Sequence, residues 1–576
     1  MSSQPDRFTL PGFGLPLNFS PGEQKLFRNA LNADDLADGG VQYIFDEAIA
    51  AKWRAEALAT SAERDISEAM IDYCIAELRY NANQPDPTAI VTVYNGDVVK
   101  SDIAVPSTLQ SALEAAVKPL EVVSSREKDW HPGSDEKVLD LVHPSLFPLI
   151  YGRSRILPHS LVGLDDCIKR TAEGVVIPIP PEEEAWVESS PTYGTDEENE
   201  PKKPFSRRFQ WLPCEVDLSS ESEGAQITSY INNLHPERHR DLYDVLEQLI
   251  TCVIPLWNRA LTPLASRSSL QPLRIEYTGC TYDPDPEYDA PETEGPQQVD
   301  FANEDDWYDA RDQWYKNTRR VVQPEPGVFQ PPAKKPEDEA KVVDLWKDYR
   351  QRGLQVVVKL ANIHLSPEQP EYGGGTWHVE GKLNEHICAS AIYYYSISNI
   401  TSSRLAFRQQ SDTDTIDISY EQDHHDWLPA VFGCENKGVQ EVGSVDTRQG
   451  RVIAWPNILQ HRVQPFKLSD PSKPGHRKIV ALFLVDPGIK VVSTANVPCQ
   501  QKEWWAEKVV AERKHANAIA ELPLELREQI FGDVDDFPIG LDEAKELRLE
   551  LMEERKRWVV THGEEFEQHE FSLCEH

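Results

Sequence analysis

Gly373-Gly374-Gly375-Thr376-Trp377-His378-Val379-Glu380-Gly381 is the stretch on which the reading of this chain turns. A glycine run delivers the backbone into a His-x-Glu triplet shortly after the strand-forming segment Leu354–Ile363. Entered as a strand, the triplet puts His378 and Glu380 on one face and Val379 on the other, as a shared metal ligand set requires. The triplet alone has little weight. With 16 His and 96 acidic residues in 576, chance gives about three His-x-Asp/Glu triplets, and the chain has five. The other four are His235/Glu237, His239/Asp241, His424/Asp426 and His562/Glu564. The first two fall where a helix starts, and residues two apart on a helix do not face each other.

Further along, Arg451–Pro456 reads as a short strand closed by Pro-Asn, and Leu459–Phe466, which contains His461, resumes extended structure. The turn-rich Ser469–Gly475 follows, and Arg477–Val485 is then a nearly unbroken run of β-formers ending at Asp486-Pro-Gly488. His378, Glu380 and His461 supply two imidazoles and one carboxylate, the set that holds non-haem iron(II) and leaves positions open for chemistry. On the last strand Arg477, Ile479, Ala481 and Phe483 share a face. A guanidinium at the mouth of an apolar interior is costly unless an anion meets it, and its planar fork matches a carboxylate.

This order of His-x-Glu, distal His and Arg on the next strand resembles the double-stranded β-helix oxygenases that use iron(II) and 2-oxoglutarate. The stretches Asp129–Ser134, Leu141–Leu146, Ser229–Pro236, Trp377–Gly381, Asn384–Ile387 and Gly475–Lys478 resemble, more closely, a large fungal family known as domain of unknown function 4246. The resemblance implies an α+β chain with a jelly-roll (cupin-like) core and an oxidoreductase activity of the hydroxylase or demethylase type. It implies that Arg477 holds the far carboxylate of 2-oxoglutarate. Tyr393 or Tyr395, which share a face of the following strand, would hydrogen-bond cosubstrate or substrate, with Asn384 and Lys359 as further candidates. Glutamate at position 380 departs from the commoner aspartate, but one more methylene still permits ligation. Two alternatives stand beside this reading: a metal cupin enzyme that does not use 2-oxoglutarate, and a non-catalytic scaffold that binds a partner.

Length alone implies two or three packed units. Residues 1–160 read as a mainly helical cap, in which Ser67–Tyr80 places Met70, Cys74, Ile75 and Leu78 on one stripe. His131 and His143 of that region read as structural, since neither lies in a ligand-like pair. Residues 161–204 form a linker with the acidic loop 181–204. The core spans 205–495, with a helix expected from Arg238 to Val253, a strand at 272–278, and an acidic, proline-rich insertion at 282–340. Residues 496–576 are helical again, with a charged amphipathic helix from Glu543 to Val560. Nine scattered cysteines without a Cys-x-x-Cys pair argue against a disulfide framework and for the cytosol or nucleus. No apolar run suggests a membrane span. A formal charge of −38 disfavours nucleic acid and leaves a small molecule or a basic polypeptide as the expected substrate.

Overall fold

The computed structural model describes residues 43–59, 66–83, 90–93, 97–184, 204–220, 224–265, 277–286, 294–331, 342–410, 418–420, 425–432, 439–511, 519, 522–534 and 536–568. Most of the acidic loop expected at 181–204 and of the strand expected at 272–278 lies outside the described residues. Fourteen strands carry the architecture: β1 (Val91–Val93), β2 (Val98–Ser101), β3 (Val138–Val142), β4 (Cys214–Asp217), β5 (Gln226–Ile227), β6 (Leu354–Leu365), β7 (Glu371–Tyr372), β8 (Ile387–Ser398), β9 (Arg404–Gln410), β10 (Val439–Asp446), β11 (Val452–Pro456), β12 (Gln460–Val463), β13 (Phe466–Lys467) and β14 (Gly475–Val485). All their pairings are antiparallel.

The main sheet runs β1-β2-β11-β8-β14-β6-β4-β5, and β3 also pairs with β6. A second sheet runs β10-β9-β12, and β7 pairs with β13. The chain is thus a mixture of helices and antiparallel sheets. Among the described residues these sheets do not join into one hydrogen-bonded barrel; they pack face to face. Val357, Ile392, Tyr394, Trp455 and Phe483 on the inner face of the main sheet meet Leu405, Phe407, Val442 and Val445 of the second.

Helices cover the other face. The α1 helix (Glu68–Ala82), which Ser67 caps by accepting the Met70 N–H, packs in clusters of its own, while α2 (Ser107–Glu121) lies on that face through Leu109, Leu113 and Val117. The α3 helix (Arg240–Ala265) runs through Pro255, where the sequence reading ended it. A proline costs a hydrogen bond there, but Leu246, Ile250, Val253, Ile254 and Trp257 are buried against the outer face of the main sheet, and that burial outweighs the loss. Strand β10 was missed because Val439-Gln-Glu-Val-Gly-Ser-Val-Asp carries few apolar residues. The last helix, α4 (Leu541–Gln568), docks Ala544, Leu547 and Leu551 into the core between the two sheets. No helix among the described residues is long and apolar enough to cross a membrane. Trp257 is fully buried, so Trp257→Ala should lower stability by about 3–5 kcal/mol. Urea unfolding followed by circular dichroism checks this, and an unchanged midpoint would contradict the helix-on-sheet core.

Candidate metal centre

The three metal-ligand candidates of the sequence come together. Nε2 of His378 and Nε2 of His461 lie 3.8 and 3.3 Å from the same Oε1 of Glu380. The strand expected at His378–Glu380 is absent, however. Only an isolated antiparallel bridge links His378 to His461: each amide donates to the other's carbonyl, at 3.2 and 2.9 Å. Glu380 is held differently. Its N–H donates to Oδ1 of the fully buried Asn457 and its carbonyl accepts from Asn457 Nδ2, both at 2.9 Å. Asn457 Nδ2 also donates to the Ile387 carbonyl. One side-chain amide thereby substitutes for a strand rung, and the only trace of it in the sequence was the Pro-Asn that closes β11.

Proton bookkeeping tests whether these residues fit a cation. A carbonyl can only accept, so the 2.8 Å contact of His378 Nδ1 with the Thr376 carbonyl puts the ring proton on Nδ1. The neutral ring then aims the Nε2 lone pair at a carboxylate oxygen, which repels unless positive charge lies between them. A proton on Nε2 is one such charge, and the pair's titration favours it. Burial opposes protonation of His378, but Glu380 outweighs it and raises the pKa. Burial also works against ionisation of Glu380, yet the two histidines hold its pKa well below the usual carboxylate value. His461, desolvated and beside His378, is pushed down to about 4. The three side chains could hold a metal ion.

A second His/Asp cluster was not foreseen. A hairpin bridged at Trp130 and Leu139 brings His131, Asp140 and His143 together, so the argument that His131 and His143 lack a ligand-like pair fails. The protons there are already placed without a metal. His131 Nδ1 bonds Asp140 Oδ2 at 2.8 Å, and the Ser145 amide donates to His143 Nδ1. Arg548 of α4 is bidentate to Asp129 and stands 3.9 Å from Asp140. This network docks α4 and already occupies the Nδ1 atoms of both histidines, although Asp140 Oδ1 keeps no hydrogen-bond partner.

Arg477 is buried on the inner face of β14, opposite Ile363 of β6. Its Nη1 donates to Ser403 Oγ at 2.9 Å, and the rings of Tyr394 and Phe466 flank it at 5.6 and 5.3 Å. No carboxylate of the described residues pairs with it, and its Nε has no hydrogen-bond partner. Desolvation lowers its pKa. Tyr393 and Tyr395 do not join it. Both face the outer core, and the Tyr395 hydroxyl donates to Asn362. Tyr394 is the tyrosine on the inner face. Alternation required one parity or the other, and nothing in three consecutive tyrosines told which. Asn384 is occupied in bonds to Ser206.

The α4 helix braces this site from outside. Glu554 pairs with Lys382 at 3.1 Å, and Arg555 pairs with Glu385 at 2.6 Å while stacking on Trp211 at 3.8 Å. Near its end, Glu567 takes Arg408, which also donates to Gln460 beside His461 and stacks on Trp377 beside His378.

The family model described as "Protein of unknown function (DUF4246)" matches residues 68–508. The chain belongs to that family. The match stops short of α4. No curated protein matches the chain. Solved structures similar to it include IDO from Bacillus thuringiensis, at 10% identity over 26% of this chain and 51% of that one, with a TM-score of 0.16. The Fe(II)/(alpha)ketoglutarate-dependent dioxygenase TqaL gives 12% identity, 28% and 47% coverage and a TM-score of 0.16. Vicilin from Solanum melongena gives 13%, 42% and 60%, and 0.12. The chain spans about half the length of the first two. At such TM-scores these likenesses carry no argument.

If Asn457 positions Glu380, Asn457→Asp, which keeps the acceptor and loses the donors, should weaken cobalt(II) binding by about 10–100-fold. Calorimetric titration of the folded variant checks this. An affinity equal to that of the unsubstituted protein would show that Glu380 needs no such support.

Proposed function

We propose that the chain is an iron(II)- and 2-oxoglutarate-dependent oxygenase of the hydroxylase or demethylase type. The observation that carries this reading is the convergence of two Nε2 atoms on one Glu380 oxygen, with a buried guanidinium on the inner face of the main sheet that no carboxylate of the described residues pairs. His378, Glu380 and His461 would hold the metal, and Arg477 the far carboxylate of 2-oxoglutarate. The core is read as a jelly roll of the double-stranded β-helix kind, residues 205–495 with 282–340 as an insertion. The central order β11-β8-β14-β6 facing β10-β9-β12 supports it. A metal cupin without 2-oxoglutarate, or a plain scaffold, leaves the buried Arg477 without a purpose.

When bound, iron(II) and 2-oxoglutarate supply oxygen activation coupled to oxidative decarboxylation, with succinate and carbon dioxide as products. The chain's own residues do the rest. The Thr376 carbonyl fixes the His378 tautomer so that Nε2 stays available. Asn457 fixes Glu380, and Trp455, 4.8 Å from the His461 ring, shields that side from water. Arg477, Ser403 and Tyr394 form a dry anion seat, where a fork-shaped cation is worth more than a point charge.

Anaerobic loading with iron(II) and 2-oxoglutarate, followed by oxygen, should yield slow succinate formation without added substrate. His378→Ala and His461→Ala should each abolish it. Arg477→Lys should raise the half-saturating 2-oxoglutarate concentration by on the order of tenfold or more. Undiminished succinate in His378→Ala would refute the metal assignment, and an unchanged requirement in Arg477→Lys would refute the anion seat.

A further inference from the structure

The two metal-ligating histidines are also tied together from behind. In the pairing of β9 with β12, Phe407 stands opposite His461 and Arg408 opposite Gln460. Phe407 belongs to the core between the sheets, so alternation puts Arg408 and Gln460 on the outer face of the second sheet. Arg408 is buried there, and it touches the chain neighbours of both histidines. Its Nε donates to Gln460 Oε1 at 2.7 Å, and its guanidinium stacks on the Trp377 ring at 5.0 Å. Arg462, which follows His461, lies over the same indole at 4.4 Å.

The end of α4 closes over this clasp. Glu567 Oε1 accepts from Arg408 Nη1 at 2.9 Å, and the Phe566 ring stands 5.4 Å from the guanidinium. His562 Nδ1 of the same helix lies 3.3 Å from Gln460 Nε2. A guanidinium carries its donors in a fixed fork, so Arg408 meets Gln460 and Glu567 together in one orientation of its plane. Without its carboxylate a buried guanidinium is costly, and it would leave Trp377 and Gln460 in turning toward water. The Glu567 side chain is 38% exposed against 11% for Arg408, so the helix end is the half of the clasp that can let go. The metal ligands would feel the release, because the backbone bridge between His378 and His461 is a single isolated rung.

We propose that Arg408 is a positioning residue for the metal centre, acting through Trp377 and Gln460, and that the docked end of α4 sets how tightly the metal is held. The proposal rests on the metal assignment and deepens it by making the last helix a regulator of that site. Such coupling is reciprocal: if docking of the helix end raises metal affinity by some factor, metal raises docking by the same factor.

The test uses full-length protein and cobalt(II). In calorimetric titration, Arg408→Met and Glu567→Ala should each weaken cobalt(II) binding about tenfold. Hydrogen exchange reads the reverse direction. Cobalt(II) should slow exchange of the amides of residues 562–567 by about the same factor in the unsubstituted protein, and should not slow it in Arg408→Met. A merely structural Arg408 would lower the urea midpoint and move neither readout. The proposal is overturned if Glu567→Ala binds cobalt(II) as the unsubstituted protein does. It is equally overturned if cobalt(II) leaves exchange at the helix end unchanged, or slows it in Arg408→Met as well. Failure of the metal assignment looks different: the unsubstituted protein would bind no cobalt(II), or His378→Ala would bind it equally well.

Discussion

A single ring proton constrains the whole site. Because Nδ1 of His378 spends its hydrogen on the Thr376 carbonyl, Nε2 presents a lone pair to Glu380. His461, locked to the same strand bridge, brings a second nitrogen to the same oxygen. Two ring nitrogens and one carboxylate oxygen held this close form a donor set that a cation, whether a proton or a metal ion, would occupy. The fold's task is to keep them there in its absence.

Each architectural element contributes to that task. The backbone bridge between His378 and His461 fixes the two rings, and Asn457 supplies the rung that Glu380 lacks. The central strands form a stiff inner face that presents Arg477. The last helix docks apolar residues between the sheets and ties the residues next to the ligands to its own charges. The helix lies beyond residues 68–508, which the family model matches.

Much of this was legible in the sequence, for identifiable reasons. The runs Leu354–Leu365, Ile387–Ser398 and Gly475–Val485 are long, rich in β-branched and aromatic residues, and interrupted by clear turns, so their strands could be placed. The metal ligands were legible because a glycine-delivered His-x-Glu, a distal histidine and a strand-opening arginine occur in one order. What failed was whatever depends on parity or on side-chain proxies. The face taken by Tyr393, Tyr394 and Tyr395 is set by the register of β8 against β14, which alternation alone does not give. Asn457 acts through its amide, and an asparagine after proline reads only as a turn. His131, Asp140 and His143 meet because a hairpin folds back on itself, not through any short ligand spacing. The continuation of α3 through Pro255 reflects burial, which local propensity does not record.

Anomalous diffraction at the iron edge, from crystals grown without oxygen in the presence of iron(II), tests the central claim most directly. The account predicts one peak bonded to the ring nitrogens of His378 and His461 and to a Glu380 oxygen, at about 2.0–2.2 Å as for other first-row ions. A peak at His131, Asp140 and His143 instead, or no bound iron at all, would contradict it.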